Sequence, residues 1–113
     1  MPRRSVPDPF AMQVGARIRE LRLERNMSLA ALADASALSK GHLSSVEHGL
    51  AAITIQTIER LATGFDVPPL YILTFPAEDE RAHVAELLRQ LSNADVKKIR
   101  RQLQVDLGIK KAR

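Results

Sequence analysis

Few side chains in this 113-residue chain stand where they could do covalent chemistry. Cysteine is absent, which removes a thiol nucleophile, thiolate metal ligands and disulfides together. His42 and His48 have no third ligand at a suitable spacing, so they read as exposed polar groups and no metal is expected. No Ser/His/Asp arrangement and no clustered carboxylate pair supports catalysis, so the chain is not expected to be an enzyme. Gly15, Gly41, Gly49, Gly64 and Gly108 are scattered, which excludes a nucleotide-binding loop; no cofactor or small-molecule ligand is expected. The chemistry left is noncovalent. Ser28, Ser39 and Thr54 each precede an apolar run at helical spacing, where a hydroxyl serves as an N-cap.

The elements that must carry these groups are helical throughout, since no segment alternates long enough to be a strand. A tail over residues 1–9 contains Pro2, Pro7 and Pro9, which forbid a regular helix, and is expected to be a flexible arm. A first helix follows over about residues 10–25, with Met12, Ile18 and Leu21 inward and Arg and Glu on its outer face. Ser28 opens a second helix carrying Leu29, Leu32 and Ala33, broken at Ser36-Ala37-Leu38. Ser39 caps a third, with Leu43 and Val46 inward, and Gly49 ends it in the left-handed conformation. Thr54 starts a fourth with Ile55, Ile58, Leu61 and Ala62, stopped by Gly64. A short fifth begins at Asp66-Val67-Pro68-Pro69 and runs to about Leu73. Residues 76–113 form a separate unit of two helices. An acidic first turn, Glu78-Asp79-Glu80, opens one, and Ser92-Asn93-Ala94-Asp95 resembles a capping box opening the other. Helices joined so tightly form an antiparallel hairpin.

Composition agrees with one folded domain's worth of chain: 45% hydrophobic and 27% charged. Arg3 and Arg4 are not followed by an apolar run, and Leu70 to Leu73 is far too short to span a bilayer, so neither a targeting signal nor a membrane segment is expected. Cysteine's absence fits a reducing cytoplasm. The net charge of +4 is unevenly placed. Over residues 10–75, six Arg and Lys meet six Asp and Glu, whereas residues 93–113 hold seven basic residues against Asp95 and Asp106. The excess is C-terminal.

Two short helices separated by three residues let one lie across a DNA backbone while the next enters the major groove by its N-terminus. The residues themselves resemble the Cro/repressor-type, or Xre, helix-turn-helix family. The matching fragments are Val14-Gly15-Ala16-Arg17-Ile18-Arg19-Glu20-Leu21-Arg22, Met27-Ser28-Leu29-Ala30-Ala31-Leu32-Ala33, Leu38-Ser39, Val46-Glu47-His48-Gly49 and Thr57-Ile58-Glu59-Arg60-Leu61-Ala62 ahead of Val67. They cover about half the chain at the family's spacings.

The resemblance implies an all-α fold: a five-helix phage-repressor-like DNA-binding domain over residues 10–75, then the C-terminal helical hairpin with its basic tail. It implies a sequence-specific transcriptional regulator, a repressor, with a recognition helix at about residues 39–47 and double-stranded DNA as partner. Lys40, Gly41, His42, Ser44 and Ser45 become the base-contact positions, and Ser28, Ser39 and Thr54 the phosphate contacts, for which plain N-capping is a compatible alternative. Arg22 and Glu47 take the family's positions for a structural ion pair.

Three positions depart from the family pattern. Leu29 stands where glutamine is usual, Leu50-Ala51-Ala52 replaces a basic loop, and Ala37 replaces the turn glycine. With a neutral domain these weaken the phosphate anchor, for which the Arg3-Arg4 arm or the basic C-terminal helix could compensate.

The apolar stripe of Val84, Leu87, Leu88, Leu91, Val96, Ile99 and Leu103, continued by Leu107, is too long to leave exposed. It implies a homodimer on a palindromic operator, against an alternative in which it packs within one chain. The rival function is a protein-interaction module on the same scaffold, an antitoxin or anti-repressor-like protein with a protein partner.

Overall fold

Each helix of the chain begins and ends with a local device, and together these set its boundaries. The computed structural model describes residues 6–109; the Arg3-Arg4 arm and Lys110, Lys111 and Arg113 of the basic tail lie outside them. All the regular structure among those residues is helical: α1 (Pro9–Glu24), α2 (Leu29–Ala35), α3 (Lys40–Glu47), α4 (Ile55–Phe65), a 3-10 helix (Pro69–Leu73), α5 (Glu80–Arg89) and α6 (Asn93–Asp106). The side chains of Asp8, Ser28, Ser39, Thr54, Asp79 and Ser92 each accept a backbone N–H in the first turn that follows. Pro9 does not keep the chain out of a helix as expected. It occupies the first helical turn behind the Asp8 cap, where its missing N–H has no partner to lose.

The helix ends depart from the sequence reading in one instructive way. Asn26, Ala37, Gly49, Asp66 and Gly108 all take positive φ and terminate helices, so only two of the five are glycine. Gly64 is not the stop of α4. The helix continues through it to Phe65, and Asp66 at φ 56° turns the chain, with the Val67 N–H on the Ala62 carbonyl at 3.0 Å. Gly64 instead faces Ser36, where a Cβ would meet the serine hydroxyl.

The chain divides into two compact units, Met1–Phe75 and Pro76–Arg113. In the first, Ile18 and Leu21 from α1, Leu32 from α2, Leu43 and Val46 from α3, Leu61 from α4 and Ile72 from the 3-10 helix all reach zero exposure. Each such side chain contributes about 1.5–3 kcal/mol of transfer free energy. Three α1 and α4 residues depart from expectation. Met12 and Ile55 are exposed rather than inward, Ile55 at 85%. Arg17 is not on the outer face of α1 but 3% exposed, donating from Nε to the Tyr71 carbonyl at 2.9 Å and pairing with Glu20. It thereby ties α1 to the 3-10 helix.

The second unit is built differently. Neither α5 nor α6 contains a buried residue. Asp79 and Ser92 cap them, and Glu80 and Asp95 place acidic charge in their first turns, as the helix dipole favours.

Candidate nucleic-acid interface

The α2–turn–α3 segment is held against α1 and α4 by contacts that leave one side of α3 open. After α2, the Ala37 N–H bonds the Asp34 carbonyl at 3.2 Å and the Leu38 N–H reaches the Ala33 carbonyl at 2.9 Å. Ala37 adopts φ 54° without glycine's freedom, and the neighbouring Leu38 side chain, packed against the core, holds the turn in place. Ser39 then starts α3, its hydroxyl accepting the His42 N–H at 3.1 Å. Leu43 and Val46 anchor the inner side of α3, so Lys40, Gly41 and His48 are exposed and His42 and Ser44 half-buried.

Ser45 departs from the expected base-contact set. It is 9% exposed, because it falls on the flank of α3 turned toward the protein, and it is withdrawn from the reading surface. His48, weighed in the sequence only as a metal ligand, shares the open side instead. Its Nδ1 lies 2.7 Å from the Ser44 carbonyl. Since a carbonyl only accepts, Nδ1 carries the proton and Nε2 is left for an outside partner. The signal was legible: His48 follows Ser44 by one helical turn. Gly41 meets nothing within 4 Å of an added Cβ, so packing places no demand on it.

The angle of α3 is set from behind by α1. Arg22 donates from Nε to Glu47 Oε2 at 2.8 Å and from Nη2 to Oε1 at 3.0 Å, a bidentate pair with side chains 12% and 4% exposed. Its Nη1 also holds the Met27 carbonyl at 3.0 Å, so one guanidinium joins the end of α1, the following turn and the end of α3. The hydrogen bond to Glu47 raises the Arg22 pKa above its ordinary value, with the coulombic attraction adding to it against desolvation. The folded-state value therefore exceeds the unfolded one, and this stabilisation is fully present below the ordinary arginine pKa and fades only at more alkaline pH. A Cβ on Gly15 would lie 2.6 Å from the Glu47 carbonyl oxygen, so the α1–α3 contact requires glycine there.

The three departures from the family pattern have places in this packing. Leu29 packs against the hydrophobic core, Ala51 is buried within it, and Ala37 makes the turn itself. Ser28 Oγ accepts from the Ala31 N–H at 3.0 Å and Thr54 Oγ1 from the Thr57 N–H at 3.1 Å. In the Ser28 cap the oxygen accepts and the hydroxyl proton remains available to a further acceptor, whereas Thr54 Oγ1 also shares a hydrogen bond with Thr57 Oγ1 at 3.1 Å. The seven apolar residues singled out in the second unit are exposed or half-buried: Val84, Leu87, Leu91, Ile99 and Leu103 exposed, Leu88 and Val96 half-buried.

A family model described as helix-turn-helix matches residues 18–72, from the middle of α1 through the 3-10 helix. The restriction-modification controller protein C.AhdI from Aeromonas hydrophila superimposes with a TM-score of 0.57 at 31% identity, over 57% of this chain and 98% of that one. The chain belongs to the Xre-type helix-turn-helix family. Among curated relatives, the HTH-type transcriptional regulator RamB of Mycobacterium tuberculosis is 36% identical over 74 residues, 66% of this chain and 15% of that protein. The HTH-type transcriptional regulator SutR of Escherichia coli is 37% identical over 51 residues, 45% of this chain and 29% of that protein. The chain thus spans between 15% and 29% of the length of these curated relatives.

Proposed function

We propose that the chain is a sequence-specific DNA-binding transcriptional regulator, a repressor, that binds a palindromic operator as a homodimer. The observation that carries this reading is the open side of α3, where Lys40, Gly41, Ser44 and His48 stand together on a helix fixed from behind by the Arg22–Glu47 pair. Lys40 suits guanine O6 and N7, the Ser44 hydroxyl either a donor or an acceptor edge, and His42 a base edge or phosphate. Gly41 lets the backbone approach a base pair closely. The capping hydroxyls of Ser28 and Ser39 keep a proton for phosphate oxygens while satisfying their own helix starts, and Thr54, at the start of α4, is the third phosphate contact. Val84, Leu87, Leu88, Leu91, Val96, Ile99 and Leu103 form the dimer contact, and a dyad-symmetric operator presents its two half-sites about one DNA turn, roughly 34 Å, apart. No cofactor, metal or small-molecule ligand enters this reading.

Selection of bound duplexes from a random pool tests it, with the expected result a site of dyad symmetry. Lys40→Ala then relaxes one base position in each half-site, whereas an equal loss on every sequence would rule out base readout by Lys40. A protein-interaction module on the same scaffold is the second reading, favoured by an apolar groove bounded by Phe10, Ile53, Ile55 and Leu73, with Phe10 60% exposed. No binding of any duplex at low salt would transfer the weight to that reading.

A further inference from the structure

We infer that the outer face of α6 is a second, sequence-independent DNA-binding surface, taking the phosphate backbone and supplying most of the electrostatic component of binding; this rests on the DNA-binding reading above. The first unit has almost no charge to spare for phosphate. Arg17 is tied to Glu20, Arg22 to Glu47 and Arg25 to Glu24. Of its other cations, Arg19, Lys40 and Arg60 are balanced by Asp34, Glu59 and Asp66, with Arg60 already reaching the Ala37 carbonyl at 3.4 Å, and Arg3 and Arg4 against Asp8 leave residues 1–75 a net charge of only +1. Association driven by counterion release needs a surplus that this unit lacks.

Four of the seven cations of the C-terminal surplus stand on α6. Lys97, Lys98, Arg100 and Arg101 are all exposed, and none of them is in an ion pair among the described residues; Arg100 Nη1 donates to the Gln104 side chain at 3.0 Å. The helix also sorts its charges. At about 100° per residue, Val96, Ile99 and Leu103 fall in one stripe about 60° wide; Lys97, Lys98 and Arg101 lie about 130° or more from its centre and Arg100 about 70° to one side. Asp95 and Asp106 flank the opposite edge, where Asp106 accepts from Gln102 at 2.8 Å. The four cations are thus not interleaved with carboxylates, as they would be on a helix laced with alternating charges. Here the stripe that closes a dimer leaves the cations outward, so one helix does both tasks without conflict.

The test uses the full chain, a random-sequence duplex and sodium chloride as the varied salt. The slope of log K against log salt is compared between wild type and Lys97→Gln/Lys98→Gln/Arg100→Gln/Arg101→Gln, with helicity and sedimentation recorded in parallel. Each lost phosphate contact flattens the slope by about 0.9, so four contacts make the wild-type affinity fall about a hundredfold more than the variant's between 50 and 200 mM salt. The charge-preserving set Lys97→Arg/Lys98→Arg/Arg100→Lys/Arg101→Lys is expected to keep the wild-type slope. If the fourfold variant loses helicity, the two halves, Lys97→Gln/Lys98→Gln and Arg100→Gln/Arg101→Gln, are each expected to show about half the change. An unchanged slope in a variant that still binds overturns the proposal. So does a variant whose self-association changes while its slope does not, since α6 would then be pairing with the acidic start of α5, Glu78 to Glu80, in another copy. Absence of any duplex binding by the wild type at low salt instead overturns the DNA-binding reading itself.

Discussion

The two units of this chain use the same helix-capping chemistry yet reach different ends. In the first, α1 to α4 and the 3-10 helix bury a shared set of aliphatic side chains to zero exposure. In the second, α5 and α6 are capped as well as any helix in the molecule and bury none. Caps decide where a helix starts and stops, each for about 1 kcal/mol. They do not supply the burial that opposes chain entropy, and isolated helices of 10 to 14 residues are marginal in water. The first unit therefore has a core that can hold its own fold, whereas the second leaves Val84, Leu87 and Leu103 exposed and has no comparable burial.

The sharpest way to break that comparison is to remove an equivalent leucine from each unit. Leu43→Ala is expected to lower unfolding free energy by about 3–5 kcal/mol by urea titration, at any protein concentration. Leu87→Ala removes a side chain 52% exposed and is expected to leave the first unit's transition in place, while shifting self-association by sedimentation to higher concentration. Equal losses in both would refute the contrast. Next in size is the ion pair behind α3. Glu47→Ala strands the Arg22 guanidinium and is expected to cost about 3 kcal/mol, and adding Arg22→Met is expected to restore part of it. Ser39→Ala removes the α3 cap and is expected to cost about 1 kcal/mol, detected as a lower melting temperature. The smallest effect concerns Ala37. Relief of left-handed strain, about 1–2 kcal/mol, is offset by the greater freedom of unfolded glycine, about 0.4–1 kcal/mol. Ala37→Gly is therefore expected to stabilise by between zero and about 1.6 kcal/mol, and any loss would mean that Ala37 is unstrained.

Much of this was legible in residue order. Ser28, Ser39 and Thr54 stand directly before apolar runs, and each proves to be a cap because the capping bond spans only three residues. Gly49 at φ 72° was readable for the same local reason. The family fragments also placed Arg22 and Glu47, which meet across 25 residues of sequence. Other features were hidden. Arg17 sits on the apolar side of α1, between Val14 and Leu21, but its charge suggested the outer face; only the Tyr71 carbonyl, 54 residues away, explains its burial. Ser45 and Ser44 are alike in type, and which of them turns inward depends on how α3 lies against its neighbours. Gly64 reads as a stop until Ser36 is seen packed against it.

Local chemistry, then, specified the helices, their capping residues and the helix-turn-helix order, because those interactions reach across three to five residues and are encoded in adjacent side chains. Long-range packing alone decided which side of α3 stays open, that Arg17 is a tie and not a surface charge, and that the second unit's stripe remains uncovered within its own unit. These depend on how separate helices approach one another, which the spacing of residues along a single helix does not contain.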